Sequence, residues 1–460
     1  MNNSTHRTFI LMALVVVILL FLHLLPPLTI GDVKFRPVSV LSDVSDSPLD
    51  DKLTEVIPKP IEPKLLRRTG SDEDSVVIEE SWPKGVQKIV DFSNGKPGGM
   101  SHFYDMLKKL SHHQKIGRPV RIAYYGDSFI EGDMMLANLR ELMQAHYGGE
   151  GVGWVDAGNS LAYYRLTVNN KFKGLTEHMV MKRNTYRAAD AGLSERYYPL
   201  AGTASMYIYP RGGYPHLAAW NNTRLYMLSS SPASVTFKSS YGNPMTKNAS
   251  PSSHIQVVEC GTRMTDVTVT VNSAKAVLYS VALESDNGII VDNFSVRGSA
   301  GISLQSLSKQ TLRDFASVRP YDLIIFQYGV NAVSERSNDD THKNYIRHMK
   351  AVVEHFKECF PKASILVMST PDRGTRSGGV VTTMKGIESL VGYQEELAAE
   401  THVGFYNLFA AMGGRGSMGR LVDEGLANKD FVHLKVKGGE RVAKCIFDSF
   451  SKRKETIKHD

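Results

Sequence analysis

The chain has 460 residues, 42% hydrophobic and 22% charged, an ordinary globular composition long enough for two or three domains. Its net charge of +7 is spread along the chain with no dense Lys/Arg stripe, which argues against a nucleic-acid footprint. Cys260, Cys359 and Cys445 are odd in number, widely spaced and outside any CxxC pair, so neither a disulfide framework nor a thiolate zinc centre is expected.

In chain order, the first feature is FILMALVVVILLFLHLL, Phe9–Leu25, an apolar run of 17 residues interrupted only by His23. That length is near the lower limit for a membrane-spanning helix. Pro26-Pro27 follows in place of an A-x-A cleavage site, so residues 1–30 read as an uncleaved signal anchor, with a cleaved signal peptide as the alternative. Residues 31–84 mix Pro, Ser and charges without sustained periodicity and read as a flexible tether, with order beginning near Ser81.

The α/β pattern occupies 85–165 and 286–460. Phe103, Met106, Leu107 and Leu110 have helical spacing. The apolar strand VRIAYYG follows, and a helix is expected directly after Ser128, ending at Gly148-Gly149. From 166 to 285 the pattern changes to short alternating strands separated by Ser, Gly, Asn and Pro, the signature of a β-sandwich, with exposed-looking Tyr207, Tyr209, Tyr214 and Trp220. The α/β rhythm then resumes with GIIVDNF, a helix over ISLQSLSKQTLRDFASV, LIIF, a long helix to Phe360, ASILVM, two further helices and a short strand between them. An all-β block inside one α/β domain is an insertion into a loop, where insertions are tolerated.

Four polar stretches fall where α/β strands end, the place at which open parallel sheets bind ligands. Gly126-Asp127-Ser128 ends the first strand, and Ser128 is either a helix cap or a nucleophile. RGSAG, with Gly298 and Gly301, follows GIIVDNF, and glycine lets backbone N–H groups approach a reacting oxygen. QYGVN ends LIIF with Gly329 and Asn331, whose amide can donate to a developing oxyanion. Asp430-Phe431-Val432-His433 precedes the closing helix. A neutral imidazole can take the serine proton, and a carboxylate three residues earlier can orient its other nitrogen. Asp372-Arg373 ends a further strand, where it either lines the cleft or forms a structural ion pair.

The order Ser, Gly, Asn, Asp/His at the strand ends of one α/β domain resembles the SGNH (GDSL-type) hydrolase superfamily. The stretch YGDSFIEGDMMLANLRELMQAHYGGEGVGW is similar to envelope SGNH esterases that act on peptidoglycan, in which a carbohydrate-binding-like β-module is inserted after the first block. The sequence departs from the family in Phe129 after the serine and in Ala332, where a G-x-N-D pattern has Asp.

The resemblance, carried by residues from about 85 to 165 and 286 to 455, implies a three-layer α/β/α fold with a parallel sheet and an inserted jelly-roll-like sandwich, to which the apolar run adds an N-terminal anchor. It implies a catalytic Ser128, Asp430 and His433, and an oxyanion hole from Ser128, Gly301 and Asn331, with Gly298 as the competing glycine. Asp127, Gly298, Gly329 and Asp372 are candidate cleft-lining residues. The implied activity is removal of O-acyl, chiefly O-acetyl, groups from an envelope glycan such as peptidoglycan. That chemistry requires no metal or organic cofactor and no nucleic acid, and the implied location is the periplasm, on the inner membrane. Acyl transfer to a glycan hydroxyl by the same site, and a catalytically idle glycan-binding scaffold, are the alternatives.

Overall fold

The computed structural model describes residues 58–61, 66–69, 75–377 and 379–459, with Ile10, Leu14, Thr29–Ile30 and Val33–Lys34 nearer the N-terminus. The chain divides into two units, 1–54 and 55–460. In the first, Thr29–Ile30 pairs antiparallel with Val33–Lys34. Most of the expected signal anchor lies outside the described residues. Among those described, no helix is long and apolar enough to cross a membrane.

The second unit is built on a six-stranded sheet in the spatial order Ile289–Ser295, Val120–Gly126, Leu323–Gln327, Ser364–Met368, Gly404–Tyr406 and Ile89–Asp91. The first five are parallel and the edge strand Ile89–Asp91 is antiparallel. Val120–Gly126, Leu323–Gln327 and Ser364–Met368 are buried along their whole length, as strands covered on both faces must be. One face is covered by helices Lys309–Val318, Asp339–Cys359 and Ile387–Thr401. The other is covered by Ser101–Ser111, Leu136–Tyr147 and Val436–Ser451. In chain order the sheet steps outward from Val120–Gly126 to one neighbour and then crosses back to the other. The switch point therefore lies between Val120–Gly126 and Leu323–Gln327.

The interruption is all-β, but it is not two separate sheets. Nine antiparallel strands form one hydrogen-bonded system, because Val267–Glu284 is long enough to pair with four partners in succession. A register shift at Leu200/Gly202 bends its longest neighbour, and Gly202 takes a φ of 118° there. Side chains from both halves of the bent sheet, among them Phe237 and Val269 on one side and Leu225 and Val281 on the other, share one core. The sheet also takes in Gly153–Asp156, ahead of Leu166.

Three further expectations are corrected. Trp220 is fully buried in the core of the inserted sheet and displays no surface. The single helix expected after Gly301 breaks into a 3-10 turn, Ile302–Ser306, and the helix Lys309–Val318, because Ser308 in extended backbone caps a new start by accepting from Thr311 N–H. The expected tether is paired in its second part. Leu66–Thr69 and Ser75–Ser81 form an antiparallel sheet with Lys454–His459, and Trp82 Nε1 donates to the Ser449 carbonyl.

Insert and parallel sheet are joined by a buried ionic hub. Arg319, with no exposed surface, donates from Nε and Nη2 to the two oxygens of Asp292 at 2.9 and 3.0 Å, and from Nη1 to Glu284 at 3.0 Å. Arg121 Nη2 donates to the other Glu284 oxygen at 2.6 Å. Tyr321 OH and Trp154 N–H also donate to Asp292. Burial alone would raise the pKa of Glu284, but Arg121 and Arg319 hold it well below the usual carboxylate range. Replacing Arg319 by methionine leaves two carboxylates buried with too few partners. It is expected to lower unfolding free energy by about 3 to 5 kcal/mol, measured by denaturant titration.

Candidate active site

The stretch Gly126-Asp127-Ser128 is a turn and not a helix cap. A Cβ on Gly126 would lie 2.8 Å from the Ile130 side chain and 3.1 Å from the Gln327 carbonyl, so only glycine lets the strand end so close to its neighbour. Asp127 Oδ1 accepts from Phe129 N–H at 2.9 Å, which bends the chain and turns Ser128 outward. The helix does not begin after Ser128. Gly132 and Asp133 both take left-handed backbone, and the α-helix starts only at Leu136. Asp133 is what holds this irregular turn. Its buried carboxylate accepts from Arg165 Nε at 2.7 Å, from Asn293 Nδ2 at 2.7 Å and from Thr167. Burial would raise its pKa, but Arg165 and Arg140 keep it well below the usual range.

Ser128 Oγ lies 2.9 Å from His433 Nε2, and His433 Nδ1 lies 2.8 Å from Asp430 Oδ2. The other Asp430 oxygen accepts the N–H groups of Val432 and His433, both at 3.0 Å. Partial burial works against the charge on Asp430, yet these N–H groups and the His433 ring lower its pKa. The Asp-x-x-His segment is a tight loop closed by the Ala427–Leu434 bridge, with Phe431 at a φ of 57°. Gly374 N–H donates to the Phe431 carbonyl, and Arg376 lies over the Phe431 ring. Asp430 and His433 are 48% and 39% exposed in their side chains, so the site is an open rim and not an enclosed pocket.

The two glycines of the second block behave differently. Gly301 N–H donates to Ser299 Oγ at 3.0 Å, so the expected oxyanion donor is already engaged. Gly301 serves packing: at its φ of 83° a Cβ would meet the Tyr328 ring at 2.6 Å. Gly298 N–H has no acceptor among the described residues, and the same is true of Ser128 N–H. Val296 N–H donates to the Gly126 carbonyl, which ties this loop to the serine turn. Asn331 is exposed, donates from Nδ2 to the Ser299 carbonyl at 3.0 Å and interacts with the Asp127 carboxyl. Gly329, at a φ of 142°, leaves room for Thr370, whose Cβ would be 2.4 Å from an added methyl group.

Asp372 does not line the cleft. It is fully buried and accepts from Thr383 Oγ1, Ser417 Oγ and Met418 N–H, fastening the Gly374–Thr383 hairpin to the helix Ser417–Asp423. Its neighbour Arg373 donates to the Val330 carbonyl at 2.6 Å and so supports the Asn331 loop. Three residues beside the site carried no signal in the sequence: Tyr163, Tyr164 and Arg297. No spacing rule singles out two adjacent tyrosines in a loop, and Arg297 reads as a solvated charge.

Ser128 and Asn331 stand on either side of the switch point of a parallel sheet that is covered by helices on both faces and interrupted by a β-module, an α/β/α fold. A solved structure described as a peptidoglycan O-acetylesterase in action has that fold, with a TM-score of 0.64 and 22% identity over 78% of this chain and 97% of that one. A family two carbohydrate esterase from Cellvibrio japonicus also matches, at a TM-score of 0.20 and 11% identity over 51% and 86% of the chains. A carbohydrate-binding module, TmCBM61, in complex with β-1,4-galactotriose matches at a TM-score of 0.18 and 7% identity, over 25% and 86%. Only the first likeness is strong enough to define the fold. No protein-family description and no curated protein matches the sequence.

Asp127, 1% exposed, is pushed by burial from the ordinary 3.8 up to about 7, against the Phe129 N–H, His433 and the Asn331 amide. Its folded value lies above its unfolded one, so the native state holds the proton more tightly. The stabilisation is complete below the unfolded value and is lost as pH rises through about 7. Between pH 6 and 8 this one group is expected to remove about 1 kcal/mol of stability. Buried Glu195, also pushed up to about 7, acts in the same window. Asp127→Asn should therefore flatten, without abolishing, the decline in denaturant midpoint from pH 6 to pH 8.

Proposed function

We propose that the protein is a serine esterase that removes O-acyl groups, above all O-acetyl, from a cell-envelope glycan such as peptidoglycan. The observation that carries this reading is the hydrogen-bonded chain from Ser128 Oγ through His433 to Asp430, assembled from opposite ends of the sequence at the carboxyl end of a parallel sheet. A protein of the same fold described as a peptidoglycan O-acetylesterase supports the substrate class.

In this mechanism Ser128 Oγ attacks the ester carbonyl carbon while its proton passes to His433 Nε2. Asp430 accepts the Nδ1–H of His433, keeps the ring oriented and stabilises the imidazolium. The oxyanion is held by the N–H groups of Ser128 and Gly298, both without an acceptor among the described residues, with the Asn331 amide, engaged by the Ser299 carbonyl and the Asp127 carboxyl at rest, turning to it as charge develops. Collapse breaks the bond to the sugar oxygen, which leaves as a hydroxyl with the proton from His433. Water then gives a proton to His433 and attacks the acetyl-serine, releasing acetate and restoring Ser128. The exposed rim at Asp430 and His433 suits an ester displayed on a polymer. We further propose that the apolar N-terminal run anchors the chain, with the catalytic domain outside the cytoplasm.

The experiment incubates residues 55–460, the whole second unit, with O-acetylated peptidoglycan and with other acetylated polysaccharides, and measures free acetate. Wild type should release acetate from peptidoglycan, and Ser128→Ala should fall by several orders of magnitude to background. Asn331→Ala should lose about 10²- to 10³-fold in kcat. Equal release by wild type and Ser128→Ala would overturn the reading.

A further inference from the structure

Beside the Ser128 turn lies an aromatic surface with no part in the chemistry. Tyr163 and Tyr164 end the 3-10 turn Ala162–Tyr164, with ring centroids 4.2 Å apart and planes inclined by 34°. They are 60% and 49% exposed. Two adjacent aromatic rings left in water forgo a favourable burial, which a bound ligand would restore.

The pair is rigidly held relative to the reacting groups. Arg165 donates to Asp133 at 2.7 Å and to the Trp154 carbonyl at 2.8 Å. Leu166 N–H donates to the Gly132 carbonyl at 2.9 Å, and Arg211 Nη2 donates to the Tyr163 carbonyl at 2.6 Å. Gly132 also lets the Tyr164 backbone close in, since an added Cβ would be 3.1 Å from the Tyr164 carbonyl oxygen. Gly132 and Asp133 belong to the turn that begins at Ser128. From the other side, Arg297, the residue before Gly298, lies 5.9 Å from the Tyr164 ring centroid and donates from Nε to Glu131 at 2.7 Å. The Ser128 turn and the Gly298 loop therefore both hold the tyrosine pair.

We propose that Tyr163 and Tyr164 form a subsite that stacks a pyranose ring of the acylated polysaccharide next to the ring whose ester Ser128 attacks. A pyranose offers a face of C–H bonds that packs on an aromatic ring and hydroxyls that stay in water, and the pair offers that surface. The charge of Arg297 is satisfied by Glu131, so recognition rests on the shape and apolar face of the sugar and depends little on salt. The proposal rests on the glycan-esterase reading for its ligand class and extends it to a residue pair outside the chemistry.

The test uses the Ser128→Ala chain, which cannot turn over, in co-sedimentation with insoluble O-acetylated peptidoglycan. Adding Tyr163→Ala and Tyr164→Ala should weaken binding about tenfold, whereas Tyr163→Phe with Tyr164→Phe should retain it within about twofold. Binding should change little between low and high salt. With Ser128 present, the double alanine variant should raise KM for the polymer about tenfold while kcat changes by less than about twofold. Tyr163→Ala alone, at the more exposed ring, gives the same direction if the double variant folds poorly. Unchanged binding in the alanine variants, equal losses with alanine and phenylalanine, or no sedimentation of the parent would overturn the proposal. If wild type releases no acetate from any polysaccharide, the esterase reading fails by itself. The binding comparison then still decides whether the tyrosines hold a glycan.

Discussion

Arg319 lies wholly inside the protein, between Glu284 at the end of the inserted sheet and Asp292 in the first strand after it. Arg121, from the strand that leads to Ser128, reaches the same Glu284. Three strands that must line up for the site to exist are thus joined through two carboxylates and two guanidinium groups away from solvent. Such a hub gains little over a hydrophobic substitute of the same shape, but its geometry is demanding, and removal of Arg319 leaves Asp292 without a cationic partner and Glu284 with fewer. Around it, Trp154 stacks on Tyr226 and meets Phe294 and Phe315 edge-on, so the joint is sealed by aromatic packing as well as ion pairs.

A second buried carboxylate carries the constraint outward. Asp133 gathers Arg165 and Thr167 from the start of the insert and Asn293 from the parallel sheet. The turn that presents Ser128 contains two consecutive left-handed residues and would not persist without that anchoring. The opposing Asp430–His433 loop is light and exposed, held by its own hairpin bridge and by Gly374. Ser128 is therefore fixed from below by buried charge, while His433 approaches it from an open edge.

The sequence made much of this legible. The apolar runs VRIAYYG, LIIF and ASILVM marked the buried strands, because a parallel sheet covered on both faces leaves no alternation to misread. Ser128, Asp430 and His433 could be picked out because few residue types can supply a nucleophile, a base and an orienting carboxylate, and the structure hydrogen-bonds the three in series. What was hidden depended on contacts between distant segments. The sequence pattern favours Gly301 over Gly298, and only the fold shows that the Ser299 hydroxyl already engages Gly301 N–H. Asp372 reads as a strand-end acid, but Thr383 and Ser417 enclose it. Lys454–His459 pairs with Ser75–Ser81, a partnership between the two ends of the unit that no local pattern announces.

Activation of Ser128 as a nucleophile by His433 is tested most directly by treating the protein with an alkyl fluorophosphonate and mapping the modified peptide by mass. A single phosphonyl group on Ser128, loss of esterase activity in proportion to labelling, and little labelling in His433→Ala are expected. Labelling at another residue, or full activity retained with Ser128 completely modified, would contradict it.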